Sequence, residues 1–68
     1  MRIVLNGREQ ELRDGASIAD AVQAAAGDAE RWGIAVALDG EVVPRGRWSA
    51  TALREGQAVE VLEARQGG

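Results

Sequence analysis

Four short apolar runs and one helically spaced stripe divide an otherwise polar chain. Met1 to Leu5 is β-branched and apolar enough for a strand, and Asn6-Gly7 follows at once. Asn-Gly predicts a two-residue hairpin, because both central residues of a type I′ turn need φ > 0. Arg8 to Leu12 is then the return strand, and its polar character suits a sheet edge. Asp14-Gly15 breaks the pattern. Ser17 directly precedes Ile18, with Asp20 three residues on, the arrangement of an N-cap with an acidic capping box. Ile18, Ala21, Val22 and Ala25 keep the i, i+3, i+4, i+7 spacing of one helical face, and Gly27 suits the end of the helix. A helix over Ile18 to Ala26 is predicted. Its apolar side chains are small, so it must lie close to whatever it covers.

Asp28 to Gly33 is a polar connection. Ile34 to Leu38 is a further apolar run, closed by Asp39-Gly40, a second hairpin signal. Glu41-Val42-Val43 returns and Pro44 stops the strand, since it has no N–H to give to a ladder. A two-residue loop sets Leu38 opposite Glu41, Ala37 opposite Val42 and Val36 opposite Val43. Both faces of this hairpin are then apolar, and the pattern alone leaves open which row is buried. Arg45 to Arg54 is irregular, Leu53 to Gly56 reads as a turn, and Ala58 to Leu62 is a last strand. Val59 and Val61 share one of its faces, and Leu62 takes the other.

The order ββ, α, ββ, β predicts an α+β domain of the β-grasp type, a mixed sheet of four to five strands with one main helix packed across it. The first and last strands, the most apolar, are expected side by side and parallel at its centre, joined by a right-handed crossover. Sixty-eight residues make one domain, and residues 64–68 are expected to form a flexible tail. A chain of this size buries only about 60% of its unfolded surface, so the core is thin.

Composition narrows the chemistry. There is no Cys and no His, which removes disulfides, thiol nucleophiles, a Ser-His-Asp triad and most zinc sites. No acidic cluster has the spacing of a calcium loop, so no metal site is expected. The hydrophobic share of 46% and charged share of 28% are those of a globular chain,. No apolar run approaches the length of a membrane span, and no leader segment is visible. The expectation is a cytoplasmic protein without a membrane partner. A net charge of −3 disfavours coating nucleic-acid phosphates. The balance points away from an enzyme acting alone and toward a small carrier or binding module.

After Leu62 the chain ends in Glu63-Ala64-Arg65-Gln66-Gly67-Gly68. A frayed, glycine-rich end is common at termini. The chemical alternative is more specific. Two glycines lack Cβ atoms and tolerate any backbone conformation, so they can thread a narrow enzyme channel. A terminal carboxylate, with a pKa of roughly 3.5, is ionised at neutral pH and is a poor acyl donor. Adenylation by ATP would turn it into a mixed anhydride open to nucleophiles. On this reading the chain supplies the reacting group, and its partners supply the catalysis.

Ala35 to Arg45 followed by Trp48 resembles the ThiS family, the sulfur carriers of thiamine biosynthesis. That family shows A-V-N-G-E-x-V-P-R-x-x-W, then L-x-x-G-D-x-V-E-I, then Gly-Gly. Leu53, Gly56, Val59, Glu60, Val61, Gly67 and Gly68 match, and the likeness covers essentially the whole chain. Gln57 departs from the usual Asp, and Arg65-Gln66 stand where small or apolar residues are commoner. The resemblance implies a ubiquitin-like carrier that binds no cofactor itself. An adenylyltransferase would use ATP to adenylate Gly68, and a persulfide donor would convert Gly68 to a thiocarboxylate. Thiazole synthase would then take that sulfur into the thiazole of thiamine. Other functions that share features of the chain are the small subunit of molybdopterin synthase, a modifier conjugated to lysines, and a passive interaction domain. The first is usually longer and lacks the Val-Pro-Arg-x-x-Trp box. All eight basic residues are Arg, so chains of self-conjugation through lysine are excluded.

Gly68 is thus the candidate sulfur-carrying residue, and Gly67 the residue that must pass a partner channel. Leu62 and Glu60, on the outward face of the last strand, are candidates for partner docking. Arg45 has two readings, pairing with an acidic partner or bonding the last carbonyls of the neighbouring loop. Trp48 is expected to cover the thin core, Trp32 to pack at a solvent edge, and Pro44 to end its strand.

Overall fold

The computed structural model describes residues 1–26 and 33–63 of the chain. The readings for Gly27, the 28–32 connection, Trp32 and the 64–68 tail with Gly67 and Gly68 lie outside the described residues. The elements are β1 (Arg2–Leu5), β2 (Arg8–Glu11), α1 (Ile18–Ala26), β3 (Ile34–Leu38), β4 (Glu41–Val42), a 3-10 turn (Arg45–Arg47) and β5 (Ala58–Glu63). The strands form one mixed sheet in the order β2-β1-β5-β3-β4. β1 and β5 pair in parallel, and the remaining neighbours are antiparallel. This is the β-grasp, ubiquitin-like arrangement, with β5 at the centre and the polar β2 at an edge.

Both hairpins turn where the sequence demands it. Asn6 and Gly7 sit at φ 51° and 84°, Asp39 and Gly40 at 49° and 89°, the left-handed pair of a type I′ turn. Ala37 lies opposite Val42 and Leu38 opposite Glu41, and the Val43 N–H reaches the Val36 carbonyl at 2.9 Å. The helix begins as its cap dictates. The Ser17 N–H donates to Asp20 Oδ2 at 2.8 Å, while the Asp20 N–H approaches Ser17 Oγ at 3.4 Å. Asp20 is held below the ordinary carboxylate value of 3.8, chiefly by the Ser17 backbone N–H. Partial burial opposes this shift, and the Arg13 charge and Ser17 hydroxyl reinforce it.

The open question of the 34–43 hairpin is settled by packing. Val36 is buried, with Ile34, Leu38 and Val43 packed against the same core, so that row faces α1 and the Ala35, Ala37 and Val42 row faces outward. Ile3, Leu5, Val59 and Val61 complete the floor, and Ile18, Ala21 and Val22 of the helix close over it. The strand limits differ slightly from those read in the sequence. β1 starts at Arg2, β2 stops at Glu11 and β4 stops at Val42, whereas β5 runs on to Glu63 because Ile34 still pairs with it. The stretch after Pro44 is also more ordered than its composition suggests. It holds the 3-10 turn and a bridge from Ala52 to Ser17 that ties it to the start of α1.

Candidate functional site

β5 is the strand from which the Gly-Gly tail departs, and it is the best held in the sheet. On one side β3 pairs with it from Val59 to Glu63, and on the other β1 pairs at Ala58 and Val59. Where β1 ends, Asn6 continues the pairing. Its N–H donates to the Val59 carbonyl at 2.9 Å, and its Oδ1 accepts the Val61 N–H at 2.8 Å. Asn6 therefore shapes a turn and lengthens the parallel ladder with its side chain. The sequence signal Asn-Gly reports only the first of these roles.

The other end of β5 is clasped by the second hairpin. Asp39 Oδ1 accepts the Ala58 N–H at 2.9 Å, Asp39 Oδ2 accepts from Gln57 Nε2 at 3.3 Å, and the Asp39 N–H donates to the Ala58 carbonyl at 2.7 Å. Gln57 Oε1 accepts in turn from the Arg54 N–H at 2.7 Å. The amide at 57 suits a carboxylate at 39. In the family stretch quoted above, Asn stands at the position of Asp39 and Asp at that of Gln57, so acid and amide have exchanged places.

The faces of β5 separate its roles. Val59 and Val61 are buried, whereas Glu60 and Leu62 point away from the helix. Leu62, 64% exposed, stands opposite Ala35, and Glu60 stands opposite Ala37. Val42, 76% exposed, extends the same outward face across β4. The structure thus brings Leu62 and Glu60 together on one surface of the last strand. Arg45 is placed elsewhere. Its guanidinium lies 5.5 Å from the centroid of the Trp48 ring, within cation–π range. Trp48 is 7% exposed and belongs to the core, and its Nε1–H donates to the Val43 carbonyl at 2.9 Å. The Pro-Arg-x-x-Trp box thus sets Trp48 into the core of this chain. Pro44, at φ −61° and ψ 145°, follows β4 and leads into the 3-10 turn, and the indole packs in the core.

Among the described residues no group of His, Cys, Asp or Glu is placed to hold a metal ion. No helix among them is long and apolar enough to cross a membrane.

The family model for ThiS matches residues 3–68. The chain belongs to the ThiS family. Its structure is similar to the crystal structure of the thiamine biosynthesis protein ThiS from Geobacter metallireducens, at 28% identity and a TM-score of 0.78, with 100% of both chains covered. It is also similar to the solution structure of a thiamine biosynthesis protein from that organism, at 28% identity and a TM-score of 0.72, covering 100% of this chain and 88% of the other. Comparison with curated protein sequences gives no match. Membership of the ThiS family supports the role of a small sulfur carrier in thiamine biosynthesis.

Proposed function

We propose that this ThiS-family chain carries sulfur on Gly68 as a thiocarboxylate. The observation that carries the reading is the family match itself, which runs through Gly67 and Gly68. The Gly68 carboxylate attacks the α-phosphate of ATP on an adenylyltransferase, and pyrophosphate leaves. The terminal sulfur of a persulfide then attacks the acyl carbon, and AMP leaves. A second thiol reduces the resulting S–S bond and frees the thiocarboxylate, whose sulfur passes to thiazole synthase. No step asks this chain for an acid, a base or a metal.

What the fold contributes is a fixed starting point. Glu63 ends a strand held on both sides, and the five residues from 64 to 68 span at most about 18 Å of chain. A partner that takes Gly68 into its nucleotide site must therefore dock within that distance of Glu63. The outward face carrying Leu62 and Glu60 lies inside this limit.

Intact mass spectrometry after incubation with ATP, the adenylyltransferase and a sulfur donor tests the reading. The expected mass change is one oxygen replaced by sulfur, lost when Gly68 is deleted while thermal unfolding is unchanged. Gly67→Ala should fold normally yet be adenylated more slowly by on the order of 10²-fold, since a misplacement of about 1 Å near reacting atoms has that effect. Thiazole formation supported by the Gly68-deleted chain would refute the reading.

A further inference from the structure

The outward face of the sheet has two unlike halves. Over β1 and β2, Arg2 lies 3.8 Å from Glu9 and 3.9 Å from Glu11, so charges there answer one another in solvent. Over β5, β3 and β4 the outward positions are Ala58, Leu62, Ala35, Ala37 and Val42, all aliphatic, and a single charge, Glu60, stands among them. Leu62 and Val42 are the exposed large hydrophobic residues among the described ones. Glu60 pairs across the ladder with Ala37, and Leu62 with Ala35, so the carboxylate is bordered by aliphatic groups. Among the described residues it makes no ion pair and no side-chain hydrogen bond.

An aliphatic patch with one carboxylate in it constrains what can cover it. Docking would strip water from Glu60 together with Leu62 and Val42, and a carboxylate desolvated without a counter-charge opposes binding strongly. We propose that this half-face docks on the adenylating partner through an apolar surface that presents an arginine or lysine to Glu60. The inference rests on the carrier reading above, which requires a partner within reach of the tail. A second copy of this chain does not fit, because an isologous contact over this patch would bring the two Glu60 carboxylates toward each other. A nucleic acid would set phosphates against the same carboxylate. The charge also distinguishes partners. A cation answering Glu60 fixes the register of docking and rejects surfaces that offer an acid there.

The test uses the full chain and its adenylating enzyme, with affinity from titration and turnover from pyrophosphate release. Glu60→Gln should weaken affinity by about 10-fold or more and Glu60→Arg by more still, since breaking a desolvated charge pair acts at that scale. The pyrophosphate rate at limiting carrier should fall in the same ratio as the affinity. Affinity of the wild type should fall with added salt, and that of Glu60→Gln should fall less steeply. Unchanged melting temperatures confirm that the exposed substitutions leave the fold alone. Glu60→Arg binding within about 2-fold of wild type, with the same salt dependence, would overturn the charge-paired docking. If the wild type bound but was never adenylated, the carrier reading would fall while the affinity ratios still judged the docking. If the wild type did not bind, both would fall.

Discussion

Replacing Asn6 separates two roles that one residue performs. Asn6 holds φ at 51° and accepts the Val61 N–H at 2.8 Å in a partly buried position. Asn6→Gly keeps the turn, because Gly adopts positive φ freely, but leaves the Val61 N–H without its partner. An unsatisfied, partly buried donor costs about 1–3 kcal/mol. Asn6→Ala loses the same bond and adds about 1–2 kcal/mol for a left-handed backbone at a residue with a Cβ. In a domain that holds only about 3–5 kcal/mol, the alanine variant should be close to unfolded at room temperature. Urea titration and thermal melting measure these steps, at about 4–8 °C per kcal/mol for a domain of this size. Amide exchange at Val61 gives a local readout and should quicken in the glycine variant before global stability is lost. Asn6→Asp, which keeps both the turn preference and the acceptor, should melt close to wild type. Wild-type stability and wild-type Val61 exchange in Asn6→Gly would refute the ladder-extending role. Equal melting of the glycine and alanine variants would refute the backbone argument.

Val61→Ala opens a cavity under α1 and should cost about 1–3 kcal/mol by urea unfolding; a smaller loss would mean that the thin core collapses around the gap. Gln57→Glu sets a second carboxylate against Asp39 in a solvent-exposed position, where Nε2 now stands 3.3 Å away, and should destabilise the chain by about 0.2–1 kcal/mol. Adding Asp39→Asn should restore most of that loss, and an additive double mutant would disprove the clasp. Asp20 titrates below 3.8 in the folded chain, so its contribution is present above that pH and fades as pH falls through the depressed value. The stability gap between wild type and Asp20→Asn, followed by melting from neutral pH downward, should therefore narrow in acid; a gap that widened would reverse the sign of the argument.

Local chemistry was enough to place the elements. Asn6-Gly7 and Asp39-Gly40 turn where they do because few other residues accept two successive left-handed conformations. Ser17 and Asp20 start α1 at Ile18 because the first N–H groups of a helix need acceptors. The family was legible in the same way, from Gly67 and Gly68 and the stretch around Trp48. Other features depend on groups far apart in the chain. The 34–43 hairpin carries two apolar rows, and only the fit beneath the small side chains of α1, beside Val59 and Val61, sends Val36 inward and Val42 outward. The second bond of Asn6 spans 55 positions and the clasp of Asp39 on Ala58 spans 19, so neither leaves a local signal. The isolation of Glu60 arises likewise. Its aliphatic neighbours come from β3 and β4 as well as β5, and the sheet has to form before that carboxylate stands alone among them.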